Sequence, residues 1–266
     1  RDRFELKRDD ESIPFNHHRT TTAGLNLSVW MVHRFGRTSL GADLRNEHIL
    51  SNVLGNPLSR PVQVRGFENT FYLKSYNRFN TSLYAEQTIS VRKFMASVGI
   101  MAHRNPEISG LRLYPGMDLG YRLNDHLKIF SSVNKTLRMP TFTDMFYTSP
   151  VQQGNSHLKP EEAVTFEAGF KYSSAVVKGE INAFHRRGYN LIDWVKDPSP
   201  DSLIWRSSNH ANIGFAGIEA SLSMTPSEES TSGIIQSLRL SCSYLKADQV
   251  QGEMLSRYAL DYLRHQ

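Results

Sequence analysis

Residues able to do covalent or acid–base chemistry are present in this chain, but their spacing assembles no reacting centre. His17, His18, His103, His185 and His210 fall at no metal-ligand spacing. No Gly-x-Ser-x-Gly elbow presents a nucleophilic serine. The carboxylate pairs Glu161-Glu162 and Glu228-Glu229 adjoin loops or turns, and neighbours within a strand point to opposite faces, so neither pair flanks one bond as acid and base. Cys242 stands alone, which rules out an intrachain disulfide and selects no compartment. Its expected role is a small apolar residue on one face of a strand. The chain is therefore expected to be no enzyme and to need no metal or cofactor. What these residue types can do is bind. Phe142, Phe146, Tyr147, Trp205 and Arg206 lie in segments that read as loops, and aromatic rings with an arginine supply area and an anchor for a ligand. Among mid-strand charges, Glu167 and Glu219 are expected on one polar face, where Arg138, Arg112 or Arg239 could pair with them in a ladder.

Strands must position these groups. From Thr20 to Met31 the chain alternates, with Ala23, Leu25, Leu27, Val29 and Met31 on one face and Gly24, Asn26 and Ser28 on the other. The same period of two sets Leu40, Ala42 and Leu44 against Asp43, Arg45 and Glu47, and Phe79, Leu83 and Ala85 against Arg78, Asn80 and Ser82. It recurs with Val98 and Ile100, with Leu113 and Met117, and with Leu127, Ile129 and Val133. Further on it marks Ala163 to Tyr172, Val176 to Asn190, Ile213 to Met224, Leu238 to Tyr244 and Tyr258 onward. About eleven strands of ten or more residues result, longer than the five or six usual in soluble sheets and matched to the nine to eleven of a tilted membrane strand. Arg1 to His18, Ser51 to Asn69 and Met139 to Glu162 read as loops. Connections alternate short and long, so one rim of an antiparallel meander carries tight turns and the other carries loops.

The totals fit. A net charge of +5 over 266 residues is scattered, with no dense basic run beyond Arg186-Arg187, and no nucleic-acid module is recognisable. Its expected roles are lining an interior and meeting anionic lipid. No run reaches the eighteen or so apolar residues of a membrane helix, which leaves strands as the route across a bilayer. A sheet in lipid must close on itself. Charged residues at mid-strand suit a wet or filled interior, and Phe35, Tyr172, Tyr189, Trp194 and Tyr262 suit interfacial girdles.

Three ordered motifs carry a family resemblance. Asn134 to Tyr147, with Arg138 and Pro140 ahead of an aromatic segment, is followed by Gly154-Asn155-Ser156-His157-Leu158-Lys159-Pro160-Glu161 and then by Thr165-Phe166-Glu167-Ala168-Gly169-Phe170. A fourth landmark, Gly217-Ile218-Glu219, follows Asn212 and Gly214. The chain thereby resembles the TonB-dependent outer-membrane receptors. The resemblance implies an all-β, antiparallel transmembrane β-barrel meander, here about half of a 22-stranded barrel. It implies a chain cut from a longer protein, with a plug domain, a TonB box and the closing strands outside it. It also implies uptake of a scarce large nutrient through the outer membrane, with TonB and its inner-membrane energising complex acting on the plug. Lipid and lipopolysaccharide are the expected surroundings, and a surface lipoprotein is an admissible partner. The hairpin from Thr20 to Asn52 is similar to that of vitamin B12 receptors, which puts a corrinoid first among ligands and a ferric siderophore next. A passive porin or barrel adhesin, and a soluble β-sandwich or propeller lectin or hydrolase, stay open as alternatives.

Overall fold

Strand formation follows the alternation just read, and a computed structural model describes residues 2–4, 16–106, 110–199, 201–225, 237–248 and 254–257. Its strands in chain order are β1 (Asp2–Phe4), β2 (Asn16–His33), β3 (Gly36–Ser51), β4 (Asn56–Gln63), β5 (Phe71–Val91), β6 (Phe94–Arg104), β7 (Leu111–Arg122) and β8 (Leu127–Arg138). After a helix α1 (Phe142–Phe146) come β9 (Thr148–Ser149), β10 (Gln152–Gln153), β11 (Glu161–Ser173), β12 (Val177–Lys196), β13 (Trp205–Met224), β14 (Leu238–Ala247) and β15 (Leu255–Ser256). The wall is one antiparallel meander in the order β2-β3-β5-β6-β7-β8-β11-β12-β13, with β14 on β13. Leu25 faces Leu44, Phe166 faces Val133, and Ile181 faces Phe170 and Ala220, while the β12–β13 register slips between Gly188 and Ile192.

The apolar face has no second layer. Leu27 is 57% exposed, Val29 64%, Leu83 55%, Val98 55%, Phe166 54% and Leu240 54%. A water-soluble sheet would bury this face; lipid is the solvent that tolerates it. Cys242 lies on the same side as Leu240 and Tyr244 and is exposed. The opposite face is polar and occupied. Asn26 donates to Asp43 (3.3 Å), and Asn182 donates to Glu167 (2.5 Å). Glycines on this face make room for neighbours' side chains. A Cβ on Gly41 would lie 2.1 Å from the Tyr84 ring, and one on Gly217 would lie 2.7 Å from both the Phe184 ring and the Tyr244 carbonyl oxygen.

Among the described residues, packing into buried clusters occurs at the long-loop rim. Leu50, Val64 and Tyr72 form one buried cluster with Leu58 and Phe67 against them. Met145, Leu158 and Ile192 form another, with Tyr76 and Phe146. Tight turns join β2 to β3, β5 to β6, β7 to β8 and β11 to β12 at the other rim. The first of them needs Gly36, which sits at φ 117°, where a Cβ would also meet the Thr88 carbonyl oxygen.

Several expectations are corrected. The segment from Ser51 to Asn69 is not all loop: β4 folds back on β5, because Leu58 and Val64 have a cluster to join. β2 begins at Asn16, within the expected first loop, and β1 pairs with it. β12 and β13 run beyond their expected ends, to 20 residues each. Trp194 is no girdle residue: it is 3% exposed on that extension. Phe35 and Tyr172 are exposed at the short-turn rim. Tyr262, the strand expected from Tyr258, and Glu228-Glu229 lie outside the described residues.

The two faces make a paired test. Leu27→Arg in the full-length receptor puts a cation near mid-span on the lipid side and is expected to cost about 2–4 kcal/mol. Asn26→Arg, one residue away but facing inward, is expected to cost far less. Urea midpoints of the receptor refolded into lipid vesicles, read by heat-modifiable gel mobility, compare them; equal losses would contradict the assignment of faces.

Candidate functional site

The segment between β8 and β11 is built by local signals. Thr141 caps α1 and accepts from the Asp144 N–H (3.1 Å), while the Asp144 carboxylate accepts from the Thr141 N–H (3.2 Å) and hydroxyl (2.6 Å). This reciprocal box satisfies the buried Asp144 without any cation. The chain then turns through β9 and β10 and returns along its own helix. The Gly154 N–H donates to the Tyr147 carbonyl (2.7 Å), and the Asn155 N–H to that of Asp144 (3.0 Å). A Cβ on Gly154 would lie 2.9 Å from backbone atoms of Met145, Phe146 and Tyr147, so only glycine allows this approach. Asn155 next caps a turn by accepting from the His157 N–H (3.0 Å). Leu158 and Pro160 are buried.

This folded segment crosses the polar face. On one side it reaches β5: Phe146 packs on Tyr76 with ring centroids 4.6 Å apart, and Phe142 packs edge-on at 5.8 Å. Arg78, 7% exposed, donates through Nη1 to the Pro140 carbonyl (2.7 Å) and through Nε and Nη2 to Glu47 of β3 (2.8 and 2.6 Å). Its guanidinium carbon stands 4.9 Å from the centre of the Phe142 ring. On the other side the segment reaches β12 and β13. Asn209 accepts from the Lys159 N–H (2.8 Å) and donates to the Lys159 carbonyl (3.0 Å) and that of Asn190 (2.7 Å). β10 pairs in parallel with the start of β13, Gln152 with Trp205 and Gln153 with Arg206. Residues 139–160 thus form a crossbar from β5 to β13.

The neck of the crossbar is closed by charge. Arg138, ending β8, and Glu161, opening β11, are register partners and make a bidentate pair of 2.6 and 2.5 Å. Glu161 also accepts from the Ile192 N–H (2.9 Å). Glu162 bonds a separate set: Arg112 (3.1 Å), Lys135 (3.1 Å) and Tyr114 (3.0 Å). The expected ladder is therefore redrawn: Arg138 and Arg112 pair with Glu161 and Glu162, while Glu167 takes Asn182 instead. Arg138 takes its register partner on the adjoining strand, and Arg112 reaches Glu162 across β8. Glu219 lies opposite Asn182. Beneath the crossbar is a cavity of about 740 Å³. Arg138, Arg186, Glu161 and Asp193 line its polar part, and Phe184 and Phe215 its apolar part.

The proposed ligand contacts divide. Phe142 and Phe146 are half-buried pins of the crossbar, and Tyr147 ends α1. Trp205, half-buried with the Lys196 ammonium 5.2 Å from its ring, and Arg206, exposed, join the crossbar through β10. Sequence reasoning missed Tyr76, Glu47 and Asn209 as its anchors. The available signal was a carboxylate and an arginine, Glu47 and Arg78, on one polar face of two adjoining strands. No cluster of three or more metal-ligating side chains occurs among the described residues.

A sheet greasy outside, polar inside and bridged at its loop rim is the architecture that the comparisons meet. Residues 3–262 match the TonB dependent receptor-like β-barrel family. The chain belongs to that family. It is a family of receptors and transporters rather than enzymes, and the chain is a stretch of an outer-membrane β-barrel. The Vitamin B12 transporter BtuB of Vibrio vulnificus is 30% identical over 103 residues, covering 39% of this chain and 16% of the relative. Its namesake from Vibrio cholerae is 23% identical over 186 residues, covering 70% and 28%. In fold, the siderophore receptor PirA of Pseudomonas aeruginosa superposes with TM-score 0.66 at 16% identity, over 88% of this chain and 41% of that one. The FrpB iron transporter of Neisseria meningitidis does so at 0.62, again at 16% identity, over 88% and 37%. The chain spans less than a third of the curated relatives' length. The order of the motifs now has a structural meaning: Arg138, Pro140, Gly154, Asn155, Leu158, Lys159, Pro160 and Glu161 build the crossbar and its neck.

Glu161 lies beyond the eleven or so residues that span the hydrocarbon from the short-turn rim, which end near Ala163. Burial opposes its charge, but the Arg138 bonds and the Ile192 N–H outweigh burial and hold its carboxyl below the ordinary 4.5. A depressed carboxylate contributes stability that is complete above its unfolded-state value and is lost as pH falls through the folded-state value. Arg138 is half-exposed, so the pair is worth about 1 kcal/mol after screening. Glu161→Gln is expected to destabilise the receptor at pH 7 by that amount, read as a lower urea midpoint. The gap from wild type should narrow as pH falls below the ordinary 4.5 and close once pH is below the lowered folded-state value. A gap unchanged by acid would contradict the ion-pair account.

Proposed function

We propose that this chain supplies barrel strands to an outer-membrane receptor that takes up a corrinoid, driven by TonB through a plug that lies outside it. The observation that carries the reading is the wall itself. Ten-residue apolar stripes face lipid, charges and amides face inward, and folded loops gather at one rim, where a large solute would first meet the protein. Membership of the TonB dependent receptor-like β-barrel family supports uptake of a nutrient over passive leakage, and the crossbar over the interior face fits a guarded passage. Two relatives named as vitamin B12 transporters support a corrinoid as the nutrient; ferric siderophores are the second choice, since the fold is shared with siderophore receptors.

No covalent step is required of this chain. Uptake needs a rim that binds the solute and an energised change in the plug that alters affinity. Trp205 and Arg206, beside the exposed Gln153 of β10, are the side chains we place nearest the solute. Arg187, exposed beside Tyr189, suits the anionic head groups of the outer leaflet.

Titration of the full-length receptor in detergent with cyanocobalamin is expected to show saturable binding, weakened roughly tenfold or more by Trp205→Ala combined with Arg206→Ala. Saturable binding of a ferric siderophore without binding of cyanocobalamin would overturn the corrinoid assignment.

A further inference from the structure

Long extracellular loops invite a reading as lids. Lids come from segments with few buried apolar contacts and exposed backbone hydrogen bonds, because they must open at small cost. Residues 139–160 have the opposite character. Asp144, Met145 and Leu158 are each 7% exposed, and Pro160 is under 2%. The backbone of α1 is bonded to the returning strand at Gly154 and Asn155. Both flanks are fixed to the wall, by Arg78 on one side and Asn209 on the other.

We propose that this segment is a permanent crossbar rather than a lid, and that Arg78 is the positioning residue that holds it. Arg78 is placed for the task. It is a buried cation whose charge is balanced by Glu47, a carboxylate already held by Arg45 at 2.8 Å and reached by Asn80 at 3.5 Å. Asn80 in turn accepts from the buried Asn105 (2.6 Å). With Glu47 satisfying Nε and Nη2, only Nη1 is turned to the crossbar, and the acceptor there is the Pro140 carbonyl. The ring of Phe142 covers the same guanidinium. Moving the crossbar away would strip a buried cation of its third hydrogen bond and its aromatic cover together, a cost that a hinge cannot absorb. Ligand-driven movement is therefore assigned to other loops and to the plug, and the crossbar fixes the width of the opening beside it.

This rests on the receptor reading only through its ligand arm, so two measurements are combined. Hydrogen exchange by mass spectrometry on the full-length receptor in nanodiscs is expected to show protected amides at Met145, Tyr147, Gly154 and Asn155. Arg78→Ala should speed exchange of these peptides at least tenfold while strands β11 and β12 keep their protection; Arg78→Lys should give an intermediate effect. Protection unchanged in Arg78→Ala would overturn the assignment of Arg78, whatever the ligand is. In the wild-type receptor, saturating cyanocobalamin should alter exchange across 139–160 by less than twofold. A change above tenfold would show a lid and overturn the crossbar, and this measurement needs no variant to fold. Should cyanocobalamin fail to bind, the corrinoid assignment falls while the Arg78 comparison still decides the positioning role.

Discussion

A backbone in hydrocarbon has no water to turn to, so every N–H and C=O must find another strand. That constraint orders the rest of this structure. It makes the strands long, it makes them pair in register from β2 to β14 with a slip between β12 and β13 only past Gly188, and it leaves alternate side chains as the part of the wall free to differ between the two faces. Lipid then takes Leu, Val, Ile and Phe without a packing partner. The interior takes what lipid rejects.

The same constraint ends at a definite height. Counted from the short-turn rim, about eleven residues carry β3 to Asn46, β5 to Thr81, β8 to Leu137 and β11 to Ala163. Glu47, Arg78, Arg138 and Glu161 all stand just past these limits, and they make the two strongest ion pairs that anchor the crossbar. These charges stand on the inner face at the height where the bilayer stops. There they serve a segment that has its own small apolar core, Met145, Leu158 and Ile192, the kind of packing the wall below it lacks. The receptor wall and the crossbar are thus stabilised by different physics, the first by hydrogen bonding with lipid exclusion and the second by ordinary burial.

Legibility in the sequence divides along the same line. The wall could be read because a period of two is a local signal: Leu25, Leu27 and Val29 announce their face without reference to any other strand. The neck could be read as a motif but not as a contact, since Arg138 and Glu161 become register partners only once the loop has closed. Tyr76 and Asn209 could not be picked out at all, and Arg78 showed only as an arginine sharing a polar face with Glu47. Their role depends on a segment more than sixty residues away in the case of Arg78 and Pro140, and nothing near Arg78 distinguishes it from any other polar-face arginine. Phe142 and Phe146 misled for a related reason. An aromatic residue in a loop looks available for a ligand until the loop is seen to have a core of its own. Trp194 misled likewise, because β12 continues past the membrane into a buried extension.

The tip of the β9–β10 hairpin reaches solvent, although β10 itself is held on β13. Thr148 and Pro150 are exposed, and Val151 is 49% exposed, while the chain on either side is tied down at Tyr147 and Gly154. Residues at the tip, around Pro150, can change without disturbing the neck, as long as β10 keeps its pairing with β13 and the Val151 carbonyl keeps its bond from the Trp205 N–H. A few positions at this tip can therefore differ while the rest of the bridge stays as it is.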